Sequence, residues 1–193
     1  MNKVICANCG KRTATAHSLS EYHYRESGLE NVWLAGSGVV ETKCSDCGGA
    51  FIRILKEQQL LQVIAMGLLM EPISLKGPEL RFLRRACALS QSQLASMLEC
   101  RRETIAEREA KAEPGLGFAE ETGIRLILLK SFQGYLATPG NSCLAPSQFV
   151  KLWDFAGFFD RFATKVDSIH GRHRIKAALQ QDLWTLKEDK RAA

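Results

Sequence analysis

The sequence lacks any uncharged apolar run of the ~18 residues that a membrane span needs. Its first residues, Met1 to Cys6, also lack the apolar core and cleavage site of a secretory signal peptide. No internal repeat of solenoid length is present. We therefore expect a cytoplasmic protein without membrane contact. Disulfides do not persist in that compartment, so paired cysteines there serve as metal ligands or redox groups.

The composition is that of an ordinary folded protein, with 46% hydrophobic and 24% charged residues. A chain of 193 residues is long enough for two small domains. The net charge of +5 is modest and does not by itself indicate a partner. Function must therefore be argued from local motifs.

Two Cys-x-x-Cys-Gly motifs are the clearest chemical signal. A tetrahedral zinc site needs four converging ligands, and each short motif supplies two at little entropic cost. A redox dithiol would need a helix N-terminus in a βαβ setting, which neither motif has. His17 and His23 lie between the motifs and could compete as ligands, but with four cysteines already present we expect them to be surface or sheet residues. We predict one structural Zn²⁺ whose ligands are Cys6, Cys9, Cys44 and Cys47.

The segment between the two motifs predicts a folded insert. Its 34 residues exceed the ~15–20 that separate the pairs of a common zinc ribbon. Tyr22 to Val40 alternates apolar residues with glycines, which indicates short strands joined by turns. A strand at Phe51 to Leu55 and a helix at Gln58 to Met70 follow.

Prolines and glycine around residues 72–78 exclude a continuous helix and mark a domain boundary. Beyond them the pattern is helical, and the last two helices are expected at Ser147 to Lys165 and Arg172 to Lys187. The predicted fold class is an α+β zinc module followed by an all-α helix-turn-helix domain with a C-terminal helical extension. The expected units are a zinc-binding module of two knuckles, a small sheet and one helix at 1–71, a linker at 72–78, a helix-turn-helix at 79–135, and the helical extension at 136–193.

Residues 79–109 resemble the helix-turn-helix of Cro- and Xre-type repressors. Ser90 and Gln93 have the spacing of a capping box, Leu94 and Ala95 permit close helix contact, and Ile105 anchors the third helix. The alternative is a helical bundle with the same apolar spacing. In this motif the third helix enters the major groove of double-stranded DNA. The candidate DNA contacts are Gln91, Gln93, Arg101, Arg102, Glu103, Thr104 and Arg108, with a weaker claim for Arg81, Arg84 and Arg85.

A second resemblance concerns the N-terminal module. Glu21-Tyr22, the segment Glu26 to Leu34, and Cys44 to Gly48 resemble the zinc finger of MqsA-type (YgiT-type) antitoxins. The resemblance implies a homodimer that represses its own palindromic promoter and a zinc module that sequesters a toxin, typically an RNase. Glu103 and Glu107 align with that family's asparagine and arginine base readers, so the operator must differ.

Two other functional classes remain. The His170–His173 run has no nucleophile or carboxylate motif beside it, so we do not expect an enzyme. A transcriptional regulator without a toxin partner, which dimerises or senses a ligand through its C-terminal helices, is the alternative to an antitoxin.

Overall fold

A computed structural model describes residues 3–70, 74–113, 115–152, 154, 175–180 and 182–187. Within these ranges the chain forms two four-stranded sheets and six helices. None of those helices has the length and apolar character of a membrane span. The strands are β1 Lys3–Val4, β2 Ala14–Ser18, β3 Glu21–His23, β4 Val32–Gly36, β5 Val39–Cys44, β6 Ala50–Ile54, β7 Ile175–Gln180 and β8 Leu183–Lys187. The helices are α1 Glu57–Met70, α2 Gly77–Ala86, α3 Gln91–Met97, α4 Arg102–Ala110, α5 Phe118–Ala137 and α6 Pro146–Lys151.

The first sheet has the strand order β1-β2-β5-β6, and all of its pairs are antiparallel. β2 pairs with β5 from Ala14 opposite Cys44 to Ser18 opposite Val40. This ladder brings the two cysteine motifs to the same end of the sheet. The predicted strands between the motifs, the strand after them and the helix that follows are confirmed.

The second sheet joins the two ends of the chain, with the order β3-β4-β7-β8. β7 runs parallel to β4, beginning with Val32 opposite Ile175, whereas the other pairs in this sheet are antiparallel. β4 therefore depends on a strand from the far end of the sequence for one of its two neighbours. A parallel pair requires a long crossover connection, and here the helical part of the chain supplies it.

The predicted C-terminal helical extension is wrong over residues 175–180 and 182–187. This segment forms a β-hairpin that turns at Asp182, which has a φ of 66°. Its leucines have helical spacing, but Ile175, Ala177 and Leu179 are buried and also recur at the strand period of two. The pairing of this segment with β4 makes it a strand, although its apolar residues fit a helix as well. The chain is accordingly a mixed α/β structure, not an α+β module followed by an all-α part.

The helix predicted from Ser147 to Lys165 is confirmed only for its first turns. α6 ends at Lys151, and Leu152 caps it. The rest of that predicted helix, other than Leu152 and Asp154, lies outside the described residues. The His170–His173 run lies outside them as well.

Trp184 of β8 holds the C-terminal hairpin against the N-terminal half of the chain. Its side chain is fully buried, and its Nε1–H donates to the carbonyl oxygen of Leu55 at 2.7 Å. Its backbone N–H donates to Gln59 Oε1 at 3.1 Å, and its carbonyl accepts from Gln148 Nε2 at 2.7 Å. Gly38 lies against the indole so closely that a Cβ there would overlap it. The hairpin is therefore part of the main apolar core.

A buried polar contact fastens α1 to α5. Arg125 is fully buried, and its guanidinium donates to the carbonyl of Leu68 near the end of α1 and to Glu121 at 2.9 and 3.0 Å. Glu121 also accepts from the backbone N–H of Leu75 at 3.2 Å. Arg125 thus pairs with a carboxylate and satisfies carbonyl groups that a helix end leaves without intrahelical partners.

We expect replacement of Trp184 by alanine to lower the free energy of unfolding by about 3–5 kcal/mol, since it empties a large buried volume and removes a hydrogen bond. Chemical denaturation followed by circular dichroism measures the change. Val150, which is 67% exposed, is the control: Val150→Ala should change stability by no more than about 0.5 kcal/mol. Equal stability of Trp184→Ala and the wild type would contradict the placement of the hairpin in the core.

Candidate metal centre and helix-turn-helix surface

The four predicted metal ligands come together in one cluster. Their sulfur atoms all lie within 4.8 Å of one another, and the Cys6–Cys47 and Cys9–Cys44 sulfur pairs are 3.6 Å apart. Sulfurs that bind zinc tetrahedrally at ~2.3 Å lie roughly 3.8 Å from each other. The cluster thus has the size of a tetrahedral metal–tetrathiolate site, and none of the four cysteines forms a disulfide.

Each cysteine motif folds into the same tight turn. The N–H of Gly10 donates to the carbonyl of Cys6 at 2.9 Å, and the N–H of Gly48 donates to the carbonyl of Cys44 at 3.1 Å. Both glycines have left-handed φ angles, 70° and 68°, which other residues adopt only at a cost. The glycine after each Cys-x-x-Cys pair is therefore a requirement of the turn that aims the two sulfurs.

The electrostatics of the cluster favour a bound cation. A hydrogen bond from Thr13 and backbone N–H groups of the second turn lower the pKa of Cys44 to about 6. The N–H of Lys11 lowers the pKa of Cys9, but burial and the three neighbouring sulfurs outweigh it and raise that pKa to about 11. Four sulfurs at this spacing cannot all ionise without a compensating positive charge, which a divalent metal supplies.

Residues 77–110 form three consecutive helices, α2, α3 and α4, joined by short turns. The predicted capping box at the start of α3 is confirmed: Gln93 N–H donates to Ser90 Oγ at 3.1 Å, and Ser90 N–H donates to Gln93 Oε1 at 2.8 Å. Leu94 and Ile105 are fully buried between α3 and α4. Glu99 makes the turn between these helices with a φ of 51°. The first turn of α4 is therefore held at the protein surface.

A buried ion pair connects α2 to α4. Arg84 donates to both oxygens of Glu109, at 2.5 and 3.0 Å, and Gln91 adds a third hydrogen bond at 2.9 Å. Burial alone raises the pKa of Glu109, but hydrogen bonds from Arg84 and Gln91 and the charges of Arg84 and Arg81 outweigh it, so the pKa lies below its ordinary value. The carboxylate is therefore ionised at neutral pH and fixes the angle between the two helices.

An open, cationic groove of about 470 Å³ lies between α2, α3 and α4. Arg81, Arg85 and Arg102 line it and are exposed, while the Arg84–Glu109 pair forms part of its wall. From the sequence alone, Arg81, Arg84 and Arg85 had only a weak claim to be DNA contacts. Their spacing on α2, with Arg81 and Arg85 four residues apart, was the signal that these two share a face.

The predicted DNA contacts divide into two groups. Arg101, Arg102 and Glu103 are exposed at the start of α4, and Thr104 is half-buried beside them. Gln91 lines the same groove, but its side-chain amide is bound to Glu109. The Gln93 side chain caps α3. Arg108 lies apart from the groove: it is half-buried and pairs with Glu120 of α5.

Comparison with known proteins gives no match to a protein-family model, a curated protein or a solved structure. The resemblances described above therefore stay predictions from the residues. The candidate sites stand on their own geometry.

We expect the purified protein to bind one metal ion per chain. The Cys47→Ser variant should lose this ion to a chelator, because its three remaining thiolates leave one of the four coordination positions without a thiolate ligand. Elemental analysis after dialysis against the chelator measures this. Acidification should also release the metal, since protons compete for the thiolates. Cys100→Ser, outside the cluster, is the control and should keep the ion. Full retention by Cys47→Ser would rule out the four-cysteine site.

Glu109→Gln should destabilise the fold by about 3–5 kcal/mol at pH 7, because it leaves the Arg84 charge buried without its partner. The contribution of an acid with a lowered pKa is complete above its unfolded-state value of about 4.3 and is lost as pH falls through the folded-state pKa. The difference from wild type should therefore shrink below about pH 4.3 in urea titrations. Glu103→Gln, on the exposed side of α4, is the matched control. A pH-independent difference would contradict the ion pair.

Proposed function

We propose that the chain is a zinc-containing, DNA-binding transcriptional regulator. The observation that carries the proposal is the cationic groove: Arg81 and Arg85 of α2 share it with Arg102, which lies in the first turn of α4. In a helix-turn-helix protein this turn meets the DNA bases while neighbouring groups hold the phosphate backbone. The exposed cations therefore lie where both kinds of contact are needed.

The proposed division of roles follows the exposure of the side chains. Arg101 and Arg102 are free to reach base edges, and an arginine can donate two hydrogen bonds to guanine. Glu103 can accept a hydrogen bond from the amino group of cytosine. Arg85 then neutralises phosphate and offsets the acidic charge of Glu103, while Arg81, which also pairs with Glu109 at 3.6 Å, adds positive charge beside it. Arg108, bound to Glu120, positions α4 against α5 in this proposal and does not contact DNA.

The metal module has a structural role in this proposal. Zinc suits four thiolate ligands, and coordination by all four cysteines leaves no open position for catalysis. A zinc–tetrathiolate carries a net charge of −2, which disfavours contact with phosphate. In this proposal the helices therefore bind DNA, and the module that carries the cysteine cluster is available to bind another macromolecule.

We extend the proposal to an antitoxin that represses its own promoter. The support is the resemblance of Glu26 to Leu34 and of the second knuckle to MqsA-type zinc fingers. A small toxin gene beside this one, whose toxicity is relieved by co-expression, supports this extension. A solitary gene favours a regulator without a toxin.

The protein should retard a labelled fragment of its own promoter in a gel-shift assay at about 50 mM salt, with affinity falling steeply as salt rises. The Arg101→Ala/Arg102→Ala double variant should bind at least about tenfold more weakly, because it loses contacts at the start of α4.

Lys130→Ala/Lys151→Ala is the matched control, since it removes the same charge from exposed positions outside the groove. The control should bind within about threefold of the wild type. If the zinc-loaded wild type does not shift the fragment, the DNA-binding proposal is overturned. If both double variants lose the same affinity for DNA, binding depends on net charge and not on the start of α4.

A further inference from the structure

β6 forms an open edge of the first sheet. It is the last strand in the order β1-β2-β5-β6, and its residues from Ala50 to Arg53 are exposed. Beyond β6, the described residues contribute no further strand to this sheet. Open edges invite strand addition, and folded proteins usually protect them with proline, bulges or several charged side chains. β6 has none of these protections except Arg53.

The register with β5 shows which backbone groups of β6 face outward. Leu55 N–H bonds to the carbonyl of Gly38 at one end, and the Gly49 carbonyl accepts from Cys44 at the other. In an antiparallel ladder the inward-facing residues alternate, so Phe51 and Arg53 also face β5. The N–H and C=O groups of Ala50, Ile52 and Ile54 therefore point away from the sheet. They amount to six backbone groups available for pairing.

The side chains beside this edge are apolar. Phe51 is 39% exposed and Ile52 is 40% exposed, one on each face of the sheet. Ile52 shares its face with Ala50 and Ile54 because alternate residues of a strand point to the same side. Arg53 shares the opposite face with Phe51. One edge thus combines unpaired backbone with an apolar row on one face and a cation beside an aromatic ring on the other.

We propose that β6 pairs with β6 of a second copy of this chain across a two-fold axis at Ile52. In this antiparallel register Ala50 lies opposite the second copy's Ile54, and Ile52 lies opposite its counterpart. All six outward backbone groups of each strand then find partners, giving six hydrogen bonds between the chains. The two sheets become one sheet of eight strands.

Side-chain complementarity selects a second copy over an unrelated strand. In the two-fold register Phe51 lies opposite Arg53 of the other chain, so each guanidinium meets an aromatic ring and no like charges oppose. On the other face the pairs are isoleucine with isoleucine and alanine with isoleucine. A five-residue strand forms a small interface, so the dimer should dissociate on dilution. This interface depends neither on the proposed DNA binding nor on the identity of the metal.

Sedimentation equilibrium of the full chain, over roughly 1–100 µM, tests the interface. The wild type should shift reversibly from monomer to dimer. Ile52→Pro removes an outward N–H without touching the β5 ladder, and edge strands tolerate proline at such positions. It should raise the dimer dissociation constant at least about tenfold, because two inter-chain hydrogen bonds are lost. The matched control, Ile52→Thr, keeps both the N–H and the β-branched shape and should still dimerise.

A second pair of variants covers the case in which Ile52→Pro loses its circular dichroism signal or its metal. Arg53→Glu places a carboxylate against Phe51 of the other chain and should also weaken the dimer, whereas Arg53→Lys keeps the cation and should preserve it. If the wild type stays monomeric over the whole concentration range, the proposal is overturned, and the edge of β6 would instead pair with a strand of another protein. A dimer that persists in folded Ile52→Pro and Arg53→Glu overturns it as well, since the contact must then lie elsewhere.

Discussion

The parallel ladder between β4 and β7 is the contact on which the rest of the structure depends. It ties residues 32–36 to residues 175–179 and gives the second sheet its central pair of strands. β8 follows by a tight turn and inserts Trp184 into the core, where the indole bonds to the chain just before α1. α1 packs against β7 and β8 and also against α2 and α5. The hairpin therefore supports the helices as well as the sheet.

One core serves both candidate sites. α1 follows directly from the sheet that carries the cysteine cluster, and Arg125 fastens its end to α5. α2 packs on the same helix and presents its arginines to the groove shared with α4. α1 thus connects the sheet that carries the cysteine cluster to α2, one of the helices that line the groove. Such a continuous packed path is one physical route by which two sites are coupled.

Short motifs were predictable, and distant pairing was not. The cysteine cluster and the Ser90–Gln93 capping box follow from local spacing, because ligand geometry and helix capping act over a few residues. The C-terminal hairpin was mistaken for a helix because Leu179, Leu183 and Leu186 have helical spacing. Ile175, Ala177 and Leu179 have strand spacing as well, and only the pairing with β4 decides between the two. The groove itself was not predicted. Arg102 was singled out and Arg81 and Arg85 had a weaker claim, but the helix angle that brings them together depends on Glu109.

The separation of β4 from β7 along the chain also orders events during synthesis. The first sheet uses residues 3–54 alone, so it can form and bring the four cysteines together while later residues are still being translated. The second sheet must wait until residue 187 has left the ribosome, and until then β4 and the face of α1 that receives Trp184 are uncovered. A prematurely terminated chain would carry a complete cysteine cluster on an incomplete core, and its exposed apolar surface is what proteases and chaperones recognise.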